Sequence, residues 1–104
     1  MSKAKIIPGI CGFTTYVEAR MNGSNHCDIS IDSECKAIQN LAKELRQVEP
    51  FKEITFREDM PLIFQLATKH CHHTACPVSV GIIKAVEVEA GVALPANVTI
   101  ELSE

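Results

Sequence analysis

Two stretches of strict alternation constrain the fold more than any other feature of the chain. In GFTTYVEARM, residues 12–21, Phe13, Thr15, Val17, Ala19 and Met21 share one face, and Thr14, Tyr16, Glu18 and Arg20 share the other. In HCDISID, residues 26–32, Cys27, Ile29 and Ile31 make a second apolar face, and NGSN lies between the two stretches. A period of two on both sides of a short glycine-containing break predicts a β-hairpin with one buried face.

The register of that hairpin follows from the same pattern. Directly opposed residues of an antiparallel pair point to one face. The two apolar sets therefore match only when opposed residue numbers sum to an even number. This requires a loop with an odd number of residues, such as a three-residue loop with Gly23 at positive φ. One such register pairs Ala19 with Cys27, Val17 with Ile29 and Thr15 with Ile31; the other slides each pair by one step on the same face. A slip of one residue would put the whole apolar set in water. Either register sets Cys11 and Cys35 at the open end of the hairpin, although 24 positions separate them.

A hairpin needs a partner layer to cover its apolar face, and the rest of the chain supplies helices. DSECKAIQNLAKELRQV, residues 32–48, predicts a helix capped by Asp32 or Ser33, with Ile38, Leu41, Ala42, Leu45 and Val48 in one stripe and Cys35 in its first turn. KEITF, 52–56, reads as a short strand. DMPLIFQLATKHC, 59–71, predicts a helix with Asp59 as cap and Pro61 in the first turn; Leu62, Ile63, Leu66, Ala67 and His70 continue its apolar face. PVSVGIIKAVEVEAG, 77–91, opens on a proline and closes on a glycine, the brackets of a helix, and has little polar face, so it is expected to be largely buried. NVTIELS, 97–103, alternates Val98, Ile100 and Leu102 and reads as a last strand. The predicted order, β-β-α-(β)-α-α-β, belongs to the α+β class: a small, mostly antiparallel sheet with helices packed on one face.

With 104 residues and 46% hydrophobic content, the chain is expected to form a single domain over residues 1–104. Net charge is −3, there is no Trp and one Tyr, and no run of Lys or Arg occurs. Those features argue against nucleic acid, which needs a phosphate-tracking surface and stacking aromatics. MSKAKIIPGICGF lacks the apolar length of a signal peptide, and no apolar run approaches the ~20 residues of a membrane span. The expected location is cytoplasmic.

Five cysteines are many for such a chain, and an odd count does not close a disulfide framework. Cys27 lies inside a strand on its apolar face and reads as core. Cys11, Cys35, Cys71 and Cys76 all fall at element ends. Cys76 precedes Pro77, at the N-cap or in the first turn of the last helix, and Cys35 is placed similarly in the first helix. Free N–H groups and the helix dipole favour a thiolate at such positions. Four cysteines are the count that a Zn or Fe–S site requires. His70, His72 and His73 are possible substitute ligands; His70 also suits a core position, His72 and His73 suit a solvent-facing corner, and His26 sits at a hairpin edge. No GxGxxG, P-loop or HExxH motif is present.

CGFTT, SECKAIQNLAKEL and ACPVSVGIIKAVEVEAGVALP together resemble a family of small uncharacterised proteins from anaerobic bacteria and methanogenic archaea. The resemblance covers nearly the whole chain and implies a reducing setting, which suits cluster or thiol chemistry. It carries no activity. Three readings stay open. The first is a protein binding Zn or an Fe–S cluster through Cys11, Cys35, Cys71 and Cys76, serving a protein or redox partner. The second is a thiol redox or sulfur-transfer protein, with Cys76 as thiolate and Cys71 or Cys35 as its resolving partner. The third is a binding or structural module whose cysteines only pack.

Overall fold

The computed structural model describes all residues, Met1–Glu104. Four strands form one antiparallel sheet in the order β1-β2-β3-β4: β1 is Ser2–Ile6, β2 Thr15–Asn22, β3 His26–Ser33 and β4 Gln47–Val48. The helices are α1 (Lys36–Glu44), α2 (Pro50–Glu53), α3 (Leu62–His70) and α4 (Val78–Glu89). The fold is α+β, with the helices on one face of the sheet.

The hairpin forms in one of the two expected registers. Asn22 pairs with His26, Ala19 with Ile29, Val17 with Ile31 and Thr15 with Ser33. The loop is therefore Gly23, Ser24 and Asn25, and Gly23 has φ of 77°. Thr15, Val17, Ala19, Cys27 and Ile29 are buried beneath the helices, while Tyr16, Glu18, Arg20 and Ser30 face outward. The core joins these strand residues to Ile38, Leu41 and Leu45 of the α1 segment, Ile63 of α3 and Val78, Ile82, Ala85 and Val86 of α4.

Two strands go beyond the sequence reading. SKAKI forms β1, its Ala4 and Ile6 turned toward the helices, and pairs with β2. Five residues with Ala at the centre carry little pattern of their own; pairing holds them. Gln47–Val48 pairs with Cys27–Asp28 instead of continuing α1. The helix stops at Glu44 because the chain turns back to the sheet, where the Arg46 carbonyl accepts the Ile29 N–H at 2.9 Å. Val48 stays buried, as its place in the stripe requires, but as a strand residue.

Two expected strands are absent. Residues 52–56 do not extend a sheet: Pro50 starts a four-residue helix through Glu53, and Phe56 is exposed. Proline at a first helical position favours that turn, and Glu53 is held inward by bonds described below. Residues 97–103 are exposed and lack sheet pairing. Their alternation is intact, but no edge of their own sheet takes them.

Helix starts also differ in detail. α1 begins at Lys36, with Cys35 at the N-cap rather than in the first turn. Ser33 remains in β3, and its hydroxyl accepts the Cys35 N–H at 3.1 Å while receiving the Thr15 hydroxyl at 2.9 Å. α3 begins at Leu62, not under an Asp59 cap. The side chain of Glu53, only 4% exposed, accepts the N–H groups of Leu62 at 3.0 Å and Ile63 at 2.8 Å. A carboxylate from another helix does the capping that a neighbouring residue usually does.

α4 ends as its glycine suggests. Gly91, with φ of 78°, donates to the Val88 carbonyl, and Val92 donates to that of Glu87, a Schellman closure. The helix is buried along one side only. Val80 is exposed and Ile83 half-buried, because one sheet face covers one side of a helix. The first turn of α4 lies tight on β1: a Cβ at Gly81 would sit 2.6 Å from Cδ1 of Ile6.

Candidate functional site

The close approach of Gly81 to Ile6 brings the start of α4 against the end of β1. The loop that follows Ile6 carries Cys11. That loop contains a turn closed by the Gly12 N–H on the Gly9 carbonyl at 3.1 Å, with both glycines at positive φ. Cys11 is exposed on this turn, beside the exposed side chain of Ile10. The pairing of Thr15 with Ile6 on one side and Ser33 on the other keeps the Cys11 loop and Cys35 at one end of the sheet.

Cys35 is half-buried at the N-cap of α1, where no side chain bonds the first-turn N–H groups. Cys71 is the C-cap of α3, its own N–H bonded to the Ala67 carbonyl at 2.8 Å. Cys76 stands one residue outside α4, because Pro77 takes the N-cap, and its N–H reaches the His73 carbonyl at 3.3 Å. A tight turn, His73 to Cys76, thus separates it from Cys71.

Cys35, Cys71 and Cys76 all pack, partly buried, against the same apolar core. Burial pushes the Cys71 thiol above its ordinary range, and the nearby sulfurs of Cys76 and Cys35 push it further in that direction. Cys35, before α1, and Cys76, before α4, are thus the two thiols that act on Cys71 at the end of α3. All five cysteines are free thiols. The side chains form no ready-made metal-binding group of three or more Cys, His, Asp or Glu. Cys35, Cys71 and Cys76 thus border one core without clustering into a coordination sphere.

Cys27 is fully buried in the core, as its strand position indicates, and burial raises its thiol pKa. His72 and His73 are exposed. His70 is directed elsewhere: its Nε2 lies 3.2 Å from Glu44 Oε2, close but not aligned as a hydrogen bond. Lys69 Nζ meets the other oxygen of Glu44 at 2.7 Å. These two contacts tie the last turn of α3 to that of α1, and they hold the Glu44 carboxyl below its usual pKa.

The residue that the sequence reading missed is Glu53. It touches no cysteine, yet it fixes the start of the helix whose end carries Cys71. One signal for it exists in the sequence: Met60-Pro61-Leu62 offers no Ser, Thr, Asp or Asn directly before the helix, so the cap had to come from elsewhere.

No helix is long and apolar enough to cross a membrane. Residues 2–102 match a family of unknown function, DUF6951, and the chain belongs to that family. No curated protein and no solved structure matches it.

Proposed function

We propose that the chain is a small thiolate-ligand protein that binds Zn or an Fe–S cluster through Cys35, Cys71 and Cys76, with Cys11 as the exposed fourth donor. The observation that carries this reading is that three half-buried thiols from three separate elements pack against one core, with Cys76 and Cys35 both acting on Cys71. Thiolates held near one another repel, and a soft metal cation between them offsets that repulsion. Cys11, on an exposed turn at the same end of the sheet, is the donor with most freedom to approach. The setting we infer is the reducing cytoplasm of an anaerobe, with a protein or redox partner at the Cys11 end.

A dithiol reading rests on Cys71 and Cys76, which a single tight turn separates and of which Cys76 raises the Cys71 pKa. In that reading Cys71 and Cys76 exchange with an external disulfide, their two electrons passing to it as the Cys71–Cys76 bond forms.

One preparation tests both. The protein is purified without oxygen, its metal content is measured, and Co²⁺ is added to the stripped form as a spectroscopic probe. The expected result is stoichiometric metal and a sulfur-to-cobalt charge-transfer band. Ser at position 35, 71 or 76 should weaken binding at least about tenfold, as loss of a ligand or its support does. No stoichiometric metal and no such band would overturn the metal reading. A Cys71–Cys76 disulfide mapped after mild oxidation of that metal-free protein would then favour the dithiol.

A further inference from the structure

We propose that residues 97–103 form a β-strand on the outer edge of β1 in a second copy of this chain. The proposal does not depend on the function of the cysteines.

The segment has strand chemistry and no partner. Val98, Ile100 and Leu102 alternate with polar residues, and they are 62%, 76% and 90% exposed. No backbone hydrogen bond joins any residue from 93 to 104 to the rest of the chain. Three large apolar side chains on one face of an unpaired segment are costly to leave in water.

The sheet offers the complementary vacancy. β1 is an edge strand, bonded only to β2, so alternate N–H and C=O groups point away from the sheet. Its Ala4 and Ile6 face the helices, while Lys3 and Lys5 are exposed on the other face. At the opposite edge β4 is only two residues long, a far shorter template.

Charge and pattern fit the two parts together. A strand that keeps its apolar face toward the helices pairs with β1 in registers two residues apart, and two of them centre Ile100 on the apolar residues of β1. One sets Ile100 opposite Ala4 and Glu101 opposite Lys3; the other sets Ile100 opposite Ile6 and Glu101 opposite Lys5. Each therefore places the carboxylate of Glu101 against a lysine, and opposite charges across a strand pair are stabilising. Slipping by one residue would turn Ile100 to water and set it against a lysine.

The occupant is a second copy because one chain carries both the unpaired strand and the unpaired edge, with opposite charges. Two copies exchanging tails satisfy both needs twice over and close as a symmetric dimer. Residues 92–96 form the arm between the α4 cap and the strand, and fully extended they span roughly 17 Å. Strand addition of this kind draws its affinity from main-chain bonds, with side-chain pockets setting the register.

Sedimentation of the full chain over a concentration series, with hydrogen exchange at β1, tests the proposal. The expected mass is twice that of one chain. Deleting 97–104 should return it to one chain with its helical circular dichroism signal retained, and the outward amides of β1 should lose their protection. Glu101→Lys should weaken the dimer, and adding Lys3→Glu and Lys5→Glu should restore it. A full-length chain that stays monomeric throughout, whether its tail is free or paired to its own β1, would overturn the proposal. So would a dimer that survives the deletion.

Discussion

Replacing Glu53 by Ala should cost this protein a large part of its stability, although the residue lies in a four-residue helix. Its carboxylate accepts two backbone N–H groups, from Leu62 at 3.0 Å and from Ile63 at 2.8 Å, and the second of these bonds is buried. Hydrogen bonds to a charged group contribute about 1.5–3 kcal/mol each, and a buried donor left unsatisfied carries its own desolvation cost. Water reaches the partly exposed Leu62 N–H after truncation and recovers some of the loss. The expected cost is therefore about 2–4 kcal/mol, out of the roughly 5–15 kcal/mol that holds a domain folded. For a chain of this length that lowers the melting temperature by roughly 8–16 °C. Urea and thermal unfolding, followed by far-ultraviolet circular dichroism, would measure it. Glu53→Gln should fall between, since its amide oxygen still accepts one N–H while its NH₂ opposes the other. The exposed Glu58→Ala is the control, within about 0.5 kcal/mol of the parent. If Glu53→Ala behaves like that control, the capping assignment is wrong and α3 is held by packing alone.

Gly81→Ala should destabilise by about 1–2 kcal/mol, since overpacking against Ile6 outweighs the better helix propensity of alanine. In an Ile6→Ala background the same change should become neutral or stabilising, a coupling that a double-mutant cycle in urea would read. The Glu89 carboxyl is held below its usual range, first by the Met21 N–H at 2.9 Å and then by the Ser2 hydroxyl at 3.0 Å, against its partial burial. A depressed carboxyl stabilises the fold above its unfolded value, about pH 4.3, and that contribution is lost as pH falls through the folded value. Glu89→Gln should therefore lower stability at neutral pH and flatten its decline below about pH 4.3, measured as melting temperature against pH.

Much of the fold is legible in the residues because it is local. Period two around NGSN sets the hairpin and its register parity, and Pro77 and Gly91 bracket α4 within a residue or two. Cys27 reads as core because it lies on the apolar face of an alternating strand. The misses share one cause. Val48 continues a helical stripe, yet it buries itself by pairing with Cys27, a contact no local pattern contains. Residues 52–56 alternate like a strand, but Glu53 is committed to the start of α3. At the site, the hairpin brings the Cys11 loop and Cys35 to one end of the sheet, which the sequence allows one to deduce. That Cys35, Cys71 and Cys76 pack against one core follows from how α1 and α4 lie on the sheet and α3 lies on both helices.

The sequence by itself determined the β2–β3 hairpin, the parity of its register and the residues on its buried face, since periodicity and turn chemistry act over a few residues. Only the tertiary structure decided where α1 stops, what caps α3, and which thiols pack on the shared core. Those outcomes depend on groups far apart in the chain, whose bonds and burial outweigh local preference only once the layers have packed.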